Sequence, residues 1–351
     1  MLRAALRDLQ WRRRRFAIAT LGTAVVFAIT LILTGLSNGF NVEAGRTVSQ
    51  LGADGWFVGR GATGPFLGAA PMAASEVAKV AAIPGVRQAA AVVYTRKVVE
   101  SGARRTDVNV FGASVGGPGL PTPNVGRVAR ASDEIEISTK LKGFKLGDHV
   151  VLAGRPFVVV GKVSNSTAVA GVPNVFLTLE GAQQVAYAGQ PVAAAIAFTG
   201  TPTGPPPPGL VAIGRATART DLLRPVEQAR SAVSLLSILL WAVAALIVGS
   251  MVYLSALERQ RDFAIFKATG VSTSSILGGL AVQAVAISLV AAIIGGALAA
   301  LLAPSFPLPV AIDRTAKILL PLLAVLVGLI ASVSGLRRVI GIDPALAFRA
   351  S

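Results

Sequence analysis

Two spacings in this 351-residue chain match those of catalytic or cofactor motifs. Gly112-Ala113-Ser114-Val115-Gly116 has the GxSxG pattern of a nucleophile elbow, and Asp133 and His149 follow in the chain order of a hydrolase triad. The elbow needs a strand, a sharp turn and then a helix. Gly117-Pro118-Gly119 and Pro121 block a helix after Ser114, and His149 sits in a turn that enters a strand, so the stretch reads as a surface loop. Gly59-Arg60-Gly61-Ala62-Thr63-Gly64 has the GxGxxG spacing of a dinucleotide site, but Pro65 stands where a helix must open to receive the pyrophosphate. It too reads as a loop. With no cysteine and a single histidine, thiolate, HExxH and multi-histidine metal sites are excluded. No catalytic residue, metal or resident cofactor is expected. No GxxxxGK[ST] occurs, so the chain has no P-loop of its own.

The elements that carry these loops are set by an unusual composition. Hydrophobic residues make up 53% of the chain and charged residues only 14%, yet the net charge is +16. A soluble domain averages roughly 25% charged residues, and a nucleic-acid binder adds Lys and Arg, whereas this chain mainly lacks Asp and Glu. Nucleic acid is therefore not an expected partner. Four runs clear the roughly 20 apolar residues that cross a bilayer core: 16–36, 232–254, 276–302 and 318–336. The first is too long for a signal-peptide core and lacks a small-x-small cleavage site, so it reads as an anchor.

Charge bias sets the expected topology. Arg3, Arg7 and Arg12–Arg15 precede the first run, Arg259, Arg261 and Lys267 lie between the second and third, and Arg337, Arg338 and Arg349 follow the fourth. The outer loop 303–317 has only Arg314 and Lys317. Both termini are thus expected in the cytoplasm of a bacterial cell, with residues 37–231 outside the plasma membrane. The expected architecture is an α-helical membrane protein of four transmembrane helices, with a large mixed α/β extracytoplasmic domain inserted between helices 1 and 2. Residues 1–15 form an amphipathic cytoplasmic helix and 337–351 a cytoplasmic tail in this reading.

Within the excursion, Ser37–Gln50 and Arg215–Ser231 read as helical stalk ends. Gly55–Val58, a helix over Ala73–Ala82, and strands over Val86–Val99 and Thr106–Phe111 form a β-α-β-β unit. A β-rich stretch runs from Glu134 to Leu179, in which Val150–Leu152 and Phe157–Val163 flank Ala153-Gly154-Arg155-Pro156, a hairpin signal. A further strand is expected over Val192–Phe198. Pro205–Pro208 stands where a second α/β repeat would place its helix, so a full second repeat is not expected.

Residues 255–275, between the second and third runs, have helical character. Phe263, Ile265 and Phe266 supply an apolar side, Glu258, Arg259, Arg261, Asp262 and Lys267 supply charge, and Gly270 suits a C-cap. Such a segment serves equally as a helix held at lipid headgroups or as a lever for a cytoplasmic partner.

The same residues carry a family resemblance. The segment resembles the E-R-x-R-E-I-[GA]-[IL]-x-[KR]-A-x-G-[AV]-[ST] signature of the type VII ABC permease superfamily, which includes the macrolide exporter MacB, lipoprotein-release LolC and cell-division FtsX proteins. Glu258, Arg259, Arg261, Phe263, Ala264, Ile265, Lys267, Ala268, Gly270, Val271 and Ser272 fit it, with Asp262 where glutamate is usual. Leu2–Arg15, Ile83-Pro84-Gly85-Val86, Leu146-Gly147-Asp148 with Phe157–Gly161, Gly295-Gly296-Ala297-Leu298 and Asp343–Arg349 resemble further family stretches in the same order. Gln283 stands where many relatives carry glutamate. The compact excursion is most similar to DevC-like exporter permeases.

The resemblance implies a non-catalytic permease subunit. It couples hydrolysis of ATP, bound with magnesium by two copies of a separate ATPase subunit, to movement of the outer domain. Export or extraction of a lipid, peptide or drug-like substrate is implied, with a second permease copy, membrane lipids and an extracytoplasmic protein as further partners. The alternative is an FtsX-like scaffold that regulates a wall hydrolase. The ATPase-coupling residues implied are Glu258, Arg259, Arg261, Asp262, Phe263, Ile265, Phe266, Lys267 and Gly270.

Overall fold

The computed structural model describes residues 13–340 apart from 103 and 307. Residues 1–12 of the expected N-terminal helix and the tail from 341, with its Asp343–Arg349 motif, lie outside the described residues. In chain order the elements are α1 (Arg13–Gln50), β1 (Gly55–Gly59), β2 (Met72–Ala73), α2 (Val77–Ala81), β3 (Val86–Ser101), β4 (Arg104–Ala113), β5 (Val125–Gly126) and β6 (Glu134–Ser138). There follow β7 (His149–Leu152), β8 (Arg155–Val163), β9 (Thr167–Ala168), β10 (Val172–Thr178), α3 (Leu179–Tyr187), β11 (Val192–Ala193), β12 (Ala195–Gly200) and β13 (Leu210–Gly214). The chain continues through α4 (Arg215–Leu223), α5 (Glu227–Glu258), α6 (Gln260–Ala268), α7 (Thr273–Leu302) and α8 (Arg314–Ile340). They form two compact units, a helical one and an α/β one spanning Gly39–Gln228.

Among the described residues, four helices are long and apolar enough to cross a membrane, within Phe16–Gln50, Arg215–Glu258, Thr273–Ser305 and Arg314–Ser332; the interior of the helical unit lies between them. That interior is built largely from small side chains: Ala24, Ala28, Ala244, Ala291, Ala292, Ala299 and Ala324 surround Phe27, Leu320 and Val327. In hydrocarbon no hydrophobic drive brings helices together, so close backbone approach and dispersion must do so. Gly295 marks the closest approach, since a Cβ there would stand 2.6 Å from the Ala24 carbonyl oxygen and 2.9 Å from the Phe27 Cβ. Beside it the Phe27 and Trp241 rings pack at 5.2 Å. Leu235, Leu239, Leu246, Ile293 and Leu322 point outward, as a lipid-facing surface requires. The hydroxyls of Thr30 and Thr34 return to carbonyls one turn back, at 2.8 Å each, and Gln283 is buried.

The α/β unit is built on a large mixed sheet in the order β13-β1-β12-β3-β4-β10-β6-β8-β5, with β7 bridging β3 and β8, and β2 and β11 pair separately. The β4–β10 and β6–β8 pairs are parallel. Ala153 and Gly154 both adopt positive φ, at 53° and 76°, closing the expected β7–β8 hairpin through two residues as a right-handed strand twist favours. The main core lies under α3, where Val93, Val108, Ile135, Ile137, Phe157, Val159, Val175 and Leu177 meet Ala182 and Val185.

Helix α3 corrects the sequence reading, which carries β-structure through Leu179 and omits a full second α/β repeat. Thr178 caps the helix, its hydroxyl accepting from the Gly181 amide at 3.2 Å, and Ala188 ends it in the left-handed region. Thus β10-α3-β12-β13 repeats the β1-α2-β3-β4 order of elements. The proline run lies after this second helix, between β12 and β13. The stalk ends differ from each other. Helix α1 absorbs Gly39 and Gly45 without interruption to Gln50, whereas Pro225 sits in a 3-10 turn, Arg224–Val226, separating α4 from α5. The expected Val192–Phe198 strand is split at Ala194.

Glu136 on β6 is fully buried. Its Oε1 accepts from the Ala129 amide at 3.0 Å, and its Oε2 has no partner. Burial pushes its carboxyl from the ordinary 4.5 up to about 7, against the pull of the Ala129 amide. A raised acid pKa means the folded state holds the proton where the unfolded chain has lost it. The stabilisation is complete below 4.5 and is lost as pH rises through about 7. Glu136→Gln should remove that loss and gain on the order of 3 kcal/mol over the parent at pH 8. Melts of the full chain in detergent at pH 5 and pH 8 check this, and parallel pH profiles for the two proteins would refute it.

Candidate coupling site

The segment that joins α5 to α7 is not one helix. Helix α5 ends at Glu258, Arg259 leaves helical geometry with φ −108° and ψ 18°, and α6 starts at Gln260. The expected 255–275 helix is thereby corrected to a nine-residue helix between two breaks. The first break is bridged locally. The Arg259 carbonyl accepts from the Phe263 amide at 3.0 Å, its Nε lies 3.6 Å from Asp262 Oδ2, and its guanidinium stands 5.6 Å from the Phe263 ring centre.

The second break is a glycine stop. The Val271 amide donates to the Phe266 carbonyl at 2.8 Å and the Gly270 amide to that of Lys267 at 3.1 Å, with Gly270 at φ +87°. This paired pattern satisfies the last carbonyls of α6 and needs a left-handed residue. Ser272 then caps α7, its hydroxyl accepting from the Ser275 amide at 3.3 Å. Between its two breaks α6 is fixed in length and direction.

Packing separates the sequence candidates into two groups. Phe263 is buried among Val248, Val252, Ala256, Ile276, Leu280, Ala284 and Ala331, and Phe266 leans on the edge of that cluster. The expectation that Phe263 faces a partner is corrected: its ring anchors α6 to its own bundle. Ile265 is 44% exposed. Glu258, Arg261 and Asp262 are exposed with it, while Arg259 and Lys267 are half-buried. Spacings of three and four residues within α6 put Arg261, Asp262 and Ile265 along one outward stripe. Such a stripe, one aliphatic anchor flanked by both signs of charge, suits recognition by another protein.

The two catalytic-looking motifs have packing explanations. Ser114 follows β4 next to the pair Ala113–Val92, whereas β7, which begins at His149, pairs with β3 at Val99 and Glu100. Seven residues of strand, roughly 23 Å, lie between those positions on β3, so the two cannot form a triad. Gly112 lets α3 close on the sheet, for a Cβ there would stand 2.0 Å from the Ala182 Cβ. Among the described residues there is no group of three His, Asp or Glu side chains able to hold a metal ion.

Besides Glu136, two buried carboxyl groups escaped the sequence reading, Glu43 on α1 and Asp221 on α4. The available signal was an acidic residue within an otherwise apolar or small-residue helix face facing a glycine-bearing loop.

Removal of the ring that seats α6 should differ from removal of the side chain it displays. Phe263→Ala should cost about 3 kcal/mol or more of stability, whereas Ile265→Ala should leave thermal unfolding of the detergent-solubilised chain nearly unchanged. Equal melting temperatures for the two variants would contradict the inward assignment of Phe263.

Residues 234–344 match the family model described as FtsX-like permease C-terminal. An uncharacterized ABC transporter permease of Mycobacterium tuberculosis is 51% identical over 348 residues, 99% of each chain. A second permease from that organism, also named uncharacterized, is 49% identical over the same length and coverage. Among solved structures, the extracellular domain of the noncanonic ABC-type transporter YknZ from Gram-positive bacteria covers 38% of this chain and 75% of its own, with a TM-score of 0.31 and 16% identity. The periplasmic region of MacB from Actinobacillus actinomycetemcomitans covers 42% and 81%, with a TM-score of 0.34 and 12% identity.

Proposed function

The chain belongs to the FtsX-like ABC transporter permeases, and from that premise we propose that it turns ATP-driven closure of separate ATPase subunits into movement of an extracytoplasmic domain. Two ATPase copies, binding ATP and magnesium, dock on α6 of two permease copies in the bacterial plasma membrane. Both termini lie in the cytoplasm and residues 37–231 lie outside. The work is done on a lipid, peptide or drug-like substrate outside the bilayer.

The observation that carries this reading is the construction of α6. Phe263 ties the helix to α5 and α7, Arg259 and Gly270 set its ends, and the Arg261–Asp262–Ile265 stripe remains outside. A load on that stripe is delivered to the bundle through a packed ring, with little slack. Phe266 contributes from the rim and Lys267 and Glu258 orient the partner by charge. The spans offer no run of ionisable residues for a hydrophilic pathway through the membrane, which supports work outside it.

Phe266→Ala combined with Arg261→Ala should abolish co-purification with the ATPase in mild detergent, or leave ATP hydrolysis uncoupled if the complex survives. Full binding with full coupling would sink the assignment. Topology has its own check, because the chain has no cysteine. A cysteine at Ser132 should react from outside, and the exposed Gln190 gives a second probe of the same side. Ser272→Cys should react with an impermeant maleimide only after the cells are opened. Reaction of Ser272→Cys in intact cells would invert the orientation.

A further inference from the structure

Both helices that lead from the membrane spans into the α/β unit present a buried carboxylate to main-chain amides. On α1, Glu43 is 4% exposed, its Oε1 accepting from the Gly171 amide at 2.7 Å and its Oε2 from Ala170 at 3.2 Å. On α4, Asp221 is 1% exposed. Its Oδ2 accepts from Phe66 at 2.8 Å and Leu67 at 2.9 Å, and its Oδ1 from Gly68 at 2.9 Å. Burial pushes the Glu43 carboxyl up, and the Thr167, Gly171 and Ala170 hydrogen bonds pull it down; hydrogen bonds buried in this way are shielded from competing water.

Each grip is shaped for its anion. The Glu43 loop places Val169, Ala170 and Gly171 in succession at φ 53°, 67° and 84°, which turns adjacent amides toward one point. Two of the three are not glycine, so the loop holds strain that the contacts must offset. The Asp221 loop is the one carrying the GxGxxG spacing. A Cβ on Gly64 would stand 2.1 Å from the Asp221 Cγ, so this glycine serves close approach of backbone to an anion, and the anion is the protein's own.

Behind the two grips, the contacts converge. One turn and two turns after Glu43, Thr47 donates to the Thr167 carbonyl at 2.7 Å and Gln50 to that of Ser164 at 3.1 Å. Asn174 on β10 donates to Thr47 Oγ1 at 3.3 Å, Asn109 on β4 donates to Asn174 Oδ1 at 3.1 Å, and the Tyr94 hydroxyl on β3 donates to Asn109 Oδ1 at 3.0 Å. From the other side, the Phe66 ring stands 5.7 Å from Tyr94, 5.6 Å from Phe111 and 5.8 Å from Trp56. Tyr94 is therefore reached from α1 through polar bonds and from α4 through an aromatic cluster.

We propose that Glu43 and Asp221 are the positioning residues that clasp α1 and α4 to the sheet, with Tyr94 as their common seat, so that displacement of α1 or α4 moves the outer domain as one body. The inference rests on the coupling function proposed above and assigns the residues that perform its outer half.

The test uses the full permease–ATPase complex in nanodiscs, with labelled subunits diluted among unlabelled ones and spin labels on introduced cysteines. The pair Val42–Gln190 reports α1 against the α/β unit, and Thr315–Gln190 reports the outer domain against the first turn of α8. In the parent, ATP–vanadate trapping should shift the second distance and leave the first unchanged. In Glu43→Ala with Asp221→Asn, ATP hydrolysis should persist, the second shift should vanish and the first distribution should broaden. A full second shift with a narrow first distribution overturns the clasp. Absence of the second shift in the parent itself would instead overturn the coupling function. If the double variant does not assemble, Tyr94→Phe, which removes one hydroxyl, must diminish the second shift, and an undiminished shift overturns the proposal. A loss of folding stability alone would lower the melting temperature without changing either distance.

Discussion

An α-helix satisfies its main-chain hydrogen bonds within itself, and that property lets one segment serve two solvents. Helix α1 keeps this ladder from Arg13 to Gln50, beginning as a hydrocarbon-compatible rod and ending as a scaffold for Glu43, Thr47 and Gln50. A loop between the span and the domain would have exposed peptide groups at the bilayer edge and introduced compliance. The uninterrupted ladder removes both problems. The other junction is built differently, with a 3-10 turn at Pro225, so the two helices entering the α/β unit differ in stiffness.

The large-scale organisation was legible because hydrophobicity over twenty residues is an unambiguous physical signal. The four spans, the first β-α-β-β unit and the hairpin at Ala153–Pro156 all follow from period, length and turn chemistry, although the turn itself closes in two residues. Helix α3 was missed because Val175-Phe176-Leu177 runs directly into Leu179, and an apolar run of that length is compatible with either element. Its decisive signal was the Thr178 cap, a single residue. The inward turn of Phe263 was likewise invisible, since Phe263, Ile265 and Phe266 are all apolar and only the positions of α5 and α7 decide which ring has neighbours.

Motif spacing proved informative about packing where it was silent about chemistry. Gly112 and Gly64 occupy motif positions associated with catalysis and cofactor binding, and both are required to be small. The first admits the Ala182 methyl of α3 and the second admits the Asp221 carboxylate. The physical reason for glycine, close approach of backbone to another group, is shared with the enzymes that use these patterns. What the spacing does not encode is which group approaches.

The clasps have an evolutionary consequence. Five donors to Glu43 and Asp221 are peptide N–H groups, those of Ala170, Gly171, Phe66, Leu67 and Gly68, which point substitution cannot remove except by proline. The side chain at Leu67 is free to drift while its amide stays in place, whereas neither carboxyl group has a substitute of equal reach and charge. Such a contact leaves no pair of covarying positions in an alignment. It would be recorded only as a solitary invariant acid facing a variable loop.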